Sequence, residues 1–280
     1  MKFLKRLLLL LFLGIGILGL IILGTTVLEE VREIINVGRV EESREEEIAE
    51  QVLNFAAMSD VHSDIESLKR ALEIAKGEEV DFIIITGDLT SLGKRDELLE
   101  AKKVLDQSSF KYYSIPGNHD LWWSQKFNED VFGEVFGQHF QSFKDKGVKF
   151  ILVDNGSYLG VDEKQMEWIE NEVVECAQIT CLVFMHMPLN HPSSVHIMGE
   201  DSPEVASQAA ELVKLLVENK VKELFAGHLH FSSEYELQGL QTTVVGALTR
   251  ARNPQSPKFL EVWKGEELEK KEVFLSDYTP

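Results

Sequence analysis

From residue 52 onward, the hydrophobic and polar positions of this chain follow two periods in turn. Short apolar runs at 52–58, 81–85, 110–114, 148–153, 180–185 and 221–226 have the length and β-branched content of strands. Between them the apolar residues fall at helical spacing. Ile65, Leu68, Leu72 and Ala75 share one face of 64–76, and Met166, Ile169 and Val173 share one face of 162–175. Leu98, Leu99, Val104 and Leu105 mark another helix, and 204–218 a fourth. Strand–helix alternation of this kind predicts a layered α/β domain. The rhythm loosens over 121–141, an aromatic-rich stretch read as a long, partly ordered excursion across the strand ends. Further β-runs at 233–238, 241–247, 259–263 and 271–275 predict a second sheet or layer.

The N-terminus obeys a different pattern. Lys2, Lys5 and Arg6 precede an apolar run from Leu7 to Leu23, interrupted only by glycines. That run is long enough to span a bilayer. Ile22 is too large for a small-x-small cleavage site before Thr25, so residues 1–27 read as an uncleaved membrane anchor. The positive-inside rule puts the basic end in the cytoplasm and the rest outside the membrane. Residues 28–50, with Glu41, Glu42 and Glu45 to Glu47, read as an acidic helical linker. The domain proper is then 51–280.

The 280 residues are 44% hydrophobic, enough for one sizeable domain with appendages. A formal net charge of −19 disfavours nucleic acid as a partner. Cys176 and Cys181 are the only cysteines. They read as two free thiols in an apolar context, with a bridge open to them only in an oxidising compartment.

The chemistry lies at the ends of the apolar runs. Asp60-x-His62 follows the first, Gly87-Asp88 the second, and Gly117-Asn118-His119-Asp120 the third. His186 and Gly227-His228-x-His230 follow two later ones. Ligands of open α/β sheets gather at the carboxyl ends of the strands, where these clusters converge. Alternate residues of extended chain point the same way, so Asp60 can aim with His62, and His228 with His230. The glycines permit tight turns and close backbone approach. Any one cluster alone is more often a turn, a cap or a buried structural histidine. All five in this order are not. Four histidines, two aspartates and one asparagine exceed what one ion needs and suit two divalent cations of the Mn, Fe or Zn kind sharing a carboxylate. Such pairs, about 3.5–4 Å apart, commonly clamp in-line displacement at phosphorus. His139, His191 and His196 fall in loop-like stretches and read as surface or rim residues, and Trp122-Trp123 as packing rather than a platform for bases.

The motif order resembles the calcineurin-like metallophosphoesterase family over about residues 53 to 247. The resemblance implies a four-layer αββα sandwich with a dinuclear site between its sheets. It implies Asp60, His62 and His230 on one metal, Asn118, His186 and His228 on the other, and Asp88 bridging them. His119 matches the family's non-ligand histidine, which stabilises developing charge or protonates the leaving oxygen, with a metal-bridging hydroxide as nucleophile. Asp120 is a candidate to orient His119. Purple acid phosphatases carry a tyrosine where this chain has Ser91, and Ser/Thr protein phosphatases an aspartate and arginine where it has Ser91 and Leu92. The closer likeness is to small bacterial and archaeal phosphoesterases, including cyclic-nucleotide phosphodiesterase-like members.

The function expected is therefore membrane-anchored hydrolysis of a small phosphomonoester or phosphodiester; a nucleotide, a cyclic nucleotide or a lipid headgroup each fits as substrate, and the sequence does not choose among them. The rival reading is a non-catalytic scaffold, a role this fold can take when its site is incomplete. Here His119 and every expected ligand are present.

Overall fold

A computed structural model describes residues 52–276. The apolar run and acidic linker lie outside the described residues, and among those described no helix is long and apolar enough to cross a membrane.

Two mixed sheets carry the fold. The first begins with the parallel strands β1 (Leu53–Met58), β2 (Phe82–Ile85) and β3 (Lys111–Ser114). The antiparallel strands β10 (Lys258–Lys264) and β11 (Leu268–Phe274) extend it in the order β11-β10-β1-β2-β3. In the second, β5 (Val148–Leu152), β6 (Thr180–Phe184), β7 (Glu223–Ala226) and β9 (Leu240–Val244) run parallel. Antiparallel β4 (Gln141–Asp145) and β8 (Ser233–Leu237) form its edges.

The period-2 pattern explains how the sheets stack. Leu53, Phe55 and Ala57 of β1 pack with Phe82 and Ile84 against Phe150, Leu182 and Phe184 of the other sheet. Phe55 lies 5.5 Å from Phe82 and 5.4 Å from Phe150, ring centre to ring centre. The alternate residues Ala56, Met58, Ile83 and Ile85 face α1 (Ile65–Gly77) and α2 (Arg95–Gln107). On the far side Ile151 and Val183 face α5 (Glu163–Val173) and α6 (Pro203–Glu218). The domain is thus layered helix, sheet, sheet, helix. Strands buried on both faces read as continuous apolar runs rather than alternations.

Two expectations need correction. The stretch 121–141 is ordered: α3 (Asn118–Phe127) and α4 (Val131–Phe136) occupy most of it, and β4 begins at Gln141. Its aromatics hold it, with Phe132 stacked on Phe136 at 5.0 Å and Leu98, Leu121 and Val131 packed around them. The cysteines are not free. A 3₁₀ turn, Val174–Ala177, folds the chain back ahead of β6 and brings the Cys176 and Cys181 Cα atoms to 5.3 Å, and the two are disulfide-bonded.

Candidate metal centre

Beyond the last hydrogen bond of the strands, the loops continue side by side. Asp60 N–H donates to the Gly87 carbonyl, His62 N–H to the Asp88 carbonyl and Thr249 N–H to the Asp60 carbonyl. Gly227 N–H donates to the carbonyl of His186. These bonds fix the strand-end clusters relative to one another before any side chain is considered. Close approach demands the glycines here. A Cβ on Gly87, already at φ +99°, would sit 2.6 Å from His186 Nδ1, and one on Gly117 would collide with the Asp88 carboxylate. Asp60, His62, Asp88, His228 and His230 all hold left-handed backbone, φ +48° to +70°.

The structure brings every predicted ligand together. Asp60, His62, Asp88 and His230 form one group of donor atoms, and Asp88, His186 and His228 a second, each within 4.8 Å. Asp88 belongs to both. Its Oδ2 lies 3.6 Å from His62 Nε2 and 3.3 Å from His186 Nε2. Asn118 Oδ1 completes the second group, 3.0 Å from both His186 Nε2 and His228 Nδ1.

The donors fit two cations. His62 Nε2 and His230 Nε2 face each other at 2.9 Å, and His186 Nε2 and His228 Nδ1 at 3.3 Å. One proton can bridge such a pair of imidazole nitrogens but cannot satisfy the carboxylates aimed at the same points, whereas a divalent ion satisfies all of them. The opposite ring nitrogens are already committed: His186 Nδ1 donates to the Thr86 carbonyl at 2.9 Å and His230 Nδ1 to that of Arg252 at 3.3 Å. Those bonds select the tautomer that leaves Nε2 free for a metal.

In the metal-free protein these groups perturb one another strongly. Burial pushes His62 and His228 down to about 3. Burial also works against charge on His186, but the Asp88 carboxylate outweighs it and holds that imidazole up at about 9. Asp88 is pushed up by burial, yet His186 and His62 hold it well below the usual carboxylate range. Burial, with the Asp88 charge behind it, raises Asp60.

The His186 shift has a thermodynamic consequence. Because its folded-state value of about 9 exceeds the ordinary 6.5, the stability it contributes is full below pH 6.5 and is lost as pH rises through 9. A cation held by His186 would displace that proton. The melting temperature of chelated protein is therefore expected to fall between pH 6.5 and about 9, and that of metal-loaded protein to fall less. Thermal denaturation of both forms across that window checks it, and equal slopes would place the titration elsewhere. His139, also raised, is common to both forms and cancels in the comparison.

His119 stands beside the first group. Its ring meets His62 edge to face, centroids 4.6 Å apart. Its backbone N–H donates to Asp88 Oδ1 at 2.8 Å, and its Nδ1 donates to the carbonyl of Ser91 at 2.7 Å. Ser91, not Asp120, orients it. The Asp120 carboxylate is buried and accepts instead from Leu89 N, Thr90 N, Thr90 Oγ1 and Gly117 N. It braces the Gly87-Asp88 loop against the start of α3. Burial and the Asp88 charge push Asp120 up to about 6, against those hydrogen bonds.

The centre opens into a cleft of about 420 Å³ whose far wall includes Tyr158, His196 and Glu200. Tyr158 accepts a bond from Asn118 Nδ2 at 3.0 Å, which turns Asn118 Oδ1 toward the two imidazoles. His196 is a rim residue as expected, paired with Glu200 at 2.9 Å. His139 is not: it is clamped between Asp154 and Asp130, both at 2.8 Å, away from the cleft. His191 caps its own loop by accepting from Ser194 N. Tyr158 and Arg252 carried no signal in the sequence, because each reaches the site through a loop, and Ser91 marked only a departure from other phosphatases, its contact to His119 being made by the backbone.

A double-sheet sandwich with this buried nitrogen and oxygen donor set at its strand ends has the fold and the donors of a metallophosphoesterase. The chain belongs to the calcineurin-like phosphoesterase family, whose model matches residues 53–232. It is similar to a probable glycerophosphodiester phosphodiesterase, GpdQ, from Arcobacter nitrofigilis, 28% identical over 54% of this chain. The match spans just over half of that relative's length, 56%. A probable cyclic nucleotide phosphodiesterase from Rhodococcus erythropolis is 23% identical over 69% of this chain and 67% of its own. Among solved structures, a dimetal phosphatase from Danio rerio shares the fold, with a TM-score of 0.61 at 16% identity over 80% of this chain and 96% of that one.

Proposed function

We propose that the chain is a membrane-anchored, two-metal phosphodiesterase that acts on small diesters outside the cytoplasmic membrane. The observation that carries the reading is the Asp88 carboxylate, which faces both donor groups with one oxygen and holds the His119 backbone with the other. Asp60, His62 and His230 would hold one divalent cation, Asn118, His186 and His228 the other, with Asp88 between them. When bound, the two cations supply positive charge to the phosphoryl oxygens and lower the pKa of water. The protein supplies position. With Nδ1 tied to Ser91, His119 has only Nε2 free to hand a proton to the leaving oxygen as the P–O bond breaks. Tyr158 and the Thr86 carbonyl keep Asn118 and His186 aimed.

Diesters are favoured over monoesters by the descriptions of both curated relatives. The anchor rests on residues 1–27, and the Cys176–Cys181 bridge supports an oxidising, extracytoplasmic setting for the domain. One experiment tests both parts. Intact cells expressing the full chain are given bis-p-nitrophenyl phosphate or p-nitrophenyl phosphate with Mn²⁺. Chelator-sensitive cleavage of the diester without lysis is expected. Activity that stays latent until lysis would refute the topology. No cleavage by membranes loaded with Mn²⁺, Fe²⁺ or Zn²⁺ would refute the hydrolase.

A further inference from the structure

His119 and Arg252 form a shared wall between two cavities. One is the cleft over the metal ligands, and the other is a groove of about 440 Å³ on the far side, lined by His62, Ser91, Leu92, Trp122 and Ala251. Apart from His62, which it shares with the metal centre, the groove's lining belongs to neither the core nor the metal donors. Its two large apolar side chains are left in water: Trp122 is 44% exposed and Leu92 36%. Trp122 follows Asn118 and His119 at four and three residues on one helix, so the indole stands on the same face as the reacting groups. The opposite wall is fastened to that helix. The Leu92 carbonyl accepts from Trp123 N–H at 3.1 Å, and the Ser91 carbonyl from the His119 ring.

The twin aromatics therefore divide their labour. Trp123 packs against Phe127 at 4.3 Å, as the sequence suggests, while Trp122 does not go into the core. The Lys126 ammonium lies over the Trp122 ring, 4.8 Å from its centre, and Arg252 brings positive charge to the groove in a chain of net charge −19.

We infer that the groove is the subsite for the leaving-group arm of the diester, and that it takes a flat aromatic group stacked on Trp122. The inference rests on the phosphodiesterase reading, since the arm reaches the groove past His119, the group placed to protonate it. An exposed indole in a groove that a guanidinium also lines favours a planar ring over a flexible acyl chain. Stacking on an exposed aromatic is worth about tenfold in affinity, or about 1.4 kcal/mol.

The test reads binding rather than turnover. Calorimetry on the metal-loaded full chain would compare phenylphosphonate, hexylphosphonate and methylphosphonate. The phenyl compound is expected to bind about tenfold tighter than the methyl one. That preference should vanish in Trp122→Ala and in Leu92→Ser and persist in Trp122→Phe. Equal affinity for phenyl and methyl, or no binding of any of them, would overturn the inference, as would a preference that survives Trp122→Ala. A hexyl compound as tight as phenyl would make the groove a chain-binding one and overturn the aromatic assignment. The two readings fail separately. A protein with the phenyl preference that cleaves no diester loses the hydrolase and keeps the groove, and an active diesterase without the preference does the reverse.

Discussion

Replacing Asp88 by asparagine is expected to cut kcat/KM on bis-p-nitrophenyl phosphate roughly a thousandfold and to leave fewer than two cations per chain. Several kcal/mol of charge stabilisation are at stake in a two-metal site, and about 1.4 kcal/mol is a factor of ten. The substitution removes the only carboxylate common to both donor groups. It does so without removing atoms from a packed interior, and an amide oxygen can still accept from His119 N–H. Asp88 raises Asp60 and Asp120, but it also holds up the buried His186 imidazolium and is held down by it, so neutralising it relieves repulsion among the carboxylates and removes that ion pair. The metal-free variant should therefore melt below the metal-free parent at pH 7, and the gap should close as pH rises through about 9. Metal analysis, kinetics and thermal denaturation on one preparation check all three statements. Full activity with two bound metals would remove Asp88 from its bridging place.

The second large effect belongs to His119. His119→Ala should lower kcat between a hundredfold and ten-thousandfold on a diester with an alkoxide leaving group. Both cations should remain, because no ligand is altered. The loss should shrink for p-nitrophenolate, which departs without a proton. The comparison matters because a merely structural role would lower both substrates alike. A Ser91 substitution would be a poor probe of the same step, since the contact to His119 is through the Ser91 backbone carbonyl, which any residue supplies.

These residues were legible to different degrees. The layers could be read because both sheets are buried on two faces, so that 82–85 and 181–185 show as unbroken apolar runs with a titratable residue just past the end. The ligand set could be read because each member comes within four residues of a strand. Side chains that act from elsewhere could not. Tyr158 lies in the loop after β5, and Arg252 in the one before β10, at sequence positions without periodicity. Asp120 misled because adjacency on a helix start says nothing of direction, and its carboxylate turns back to Leu89, Thr90 and Gly117. The disulfide was hidden because only the 3₁₀ turn, a tertiary detail, brings the two sulfurs together. The ordering of 121–141 was hidden for a related reason: the aromatics that look loose in sequence find partners on α2 and α4.

The left-handed backbone at Asp60, His62, Asp88, His228 and His230 bears on descent as well as chemistry. Aspartate and histidine tolerate that conformation better than most residues, but glycine adopts it freely, and each departure from glycine costs the fold something on the order of 1 kcal/mol. Several of these side chains also bury charge beside like charge. Drift under selection for folding alone would let such positions move toward glycine or small neutral residues, relieving backbone strain with each step. A lineage that had turned this domain into a scaffold would have had that path open at five places. The chain has taken it at none of them.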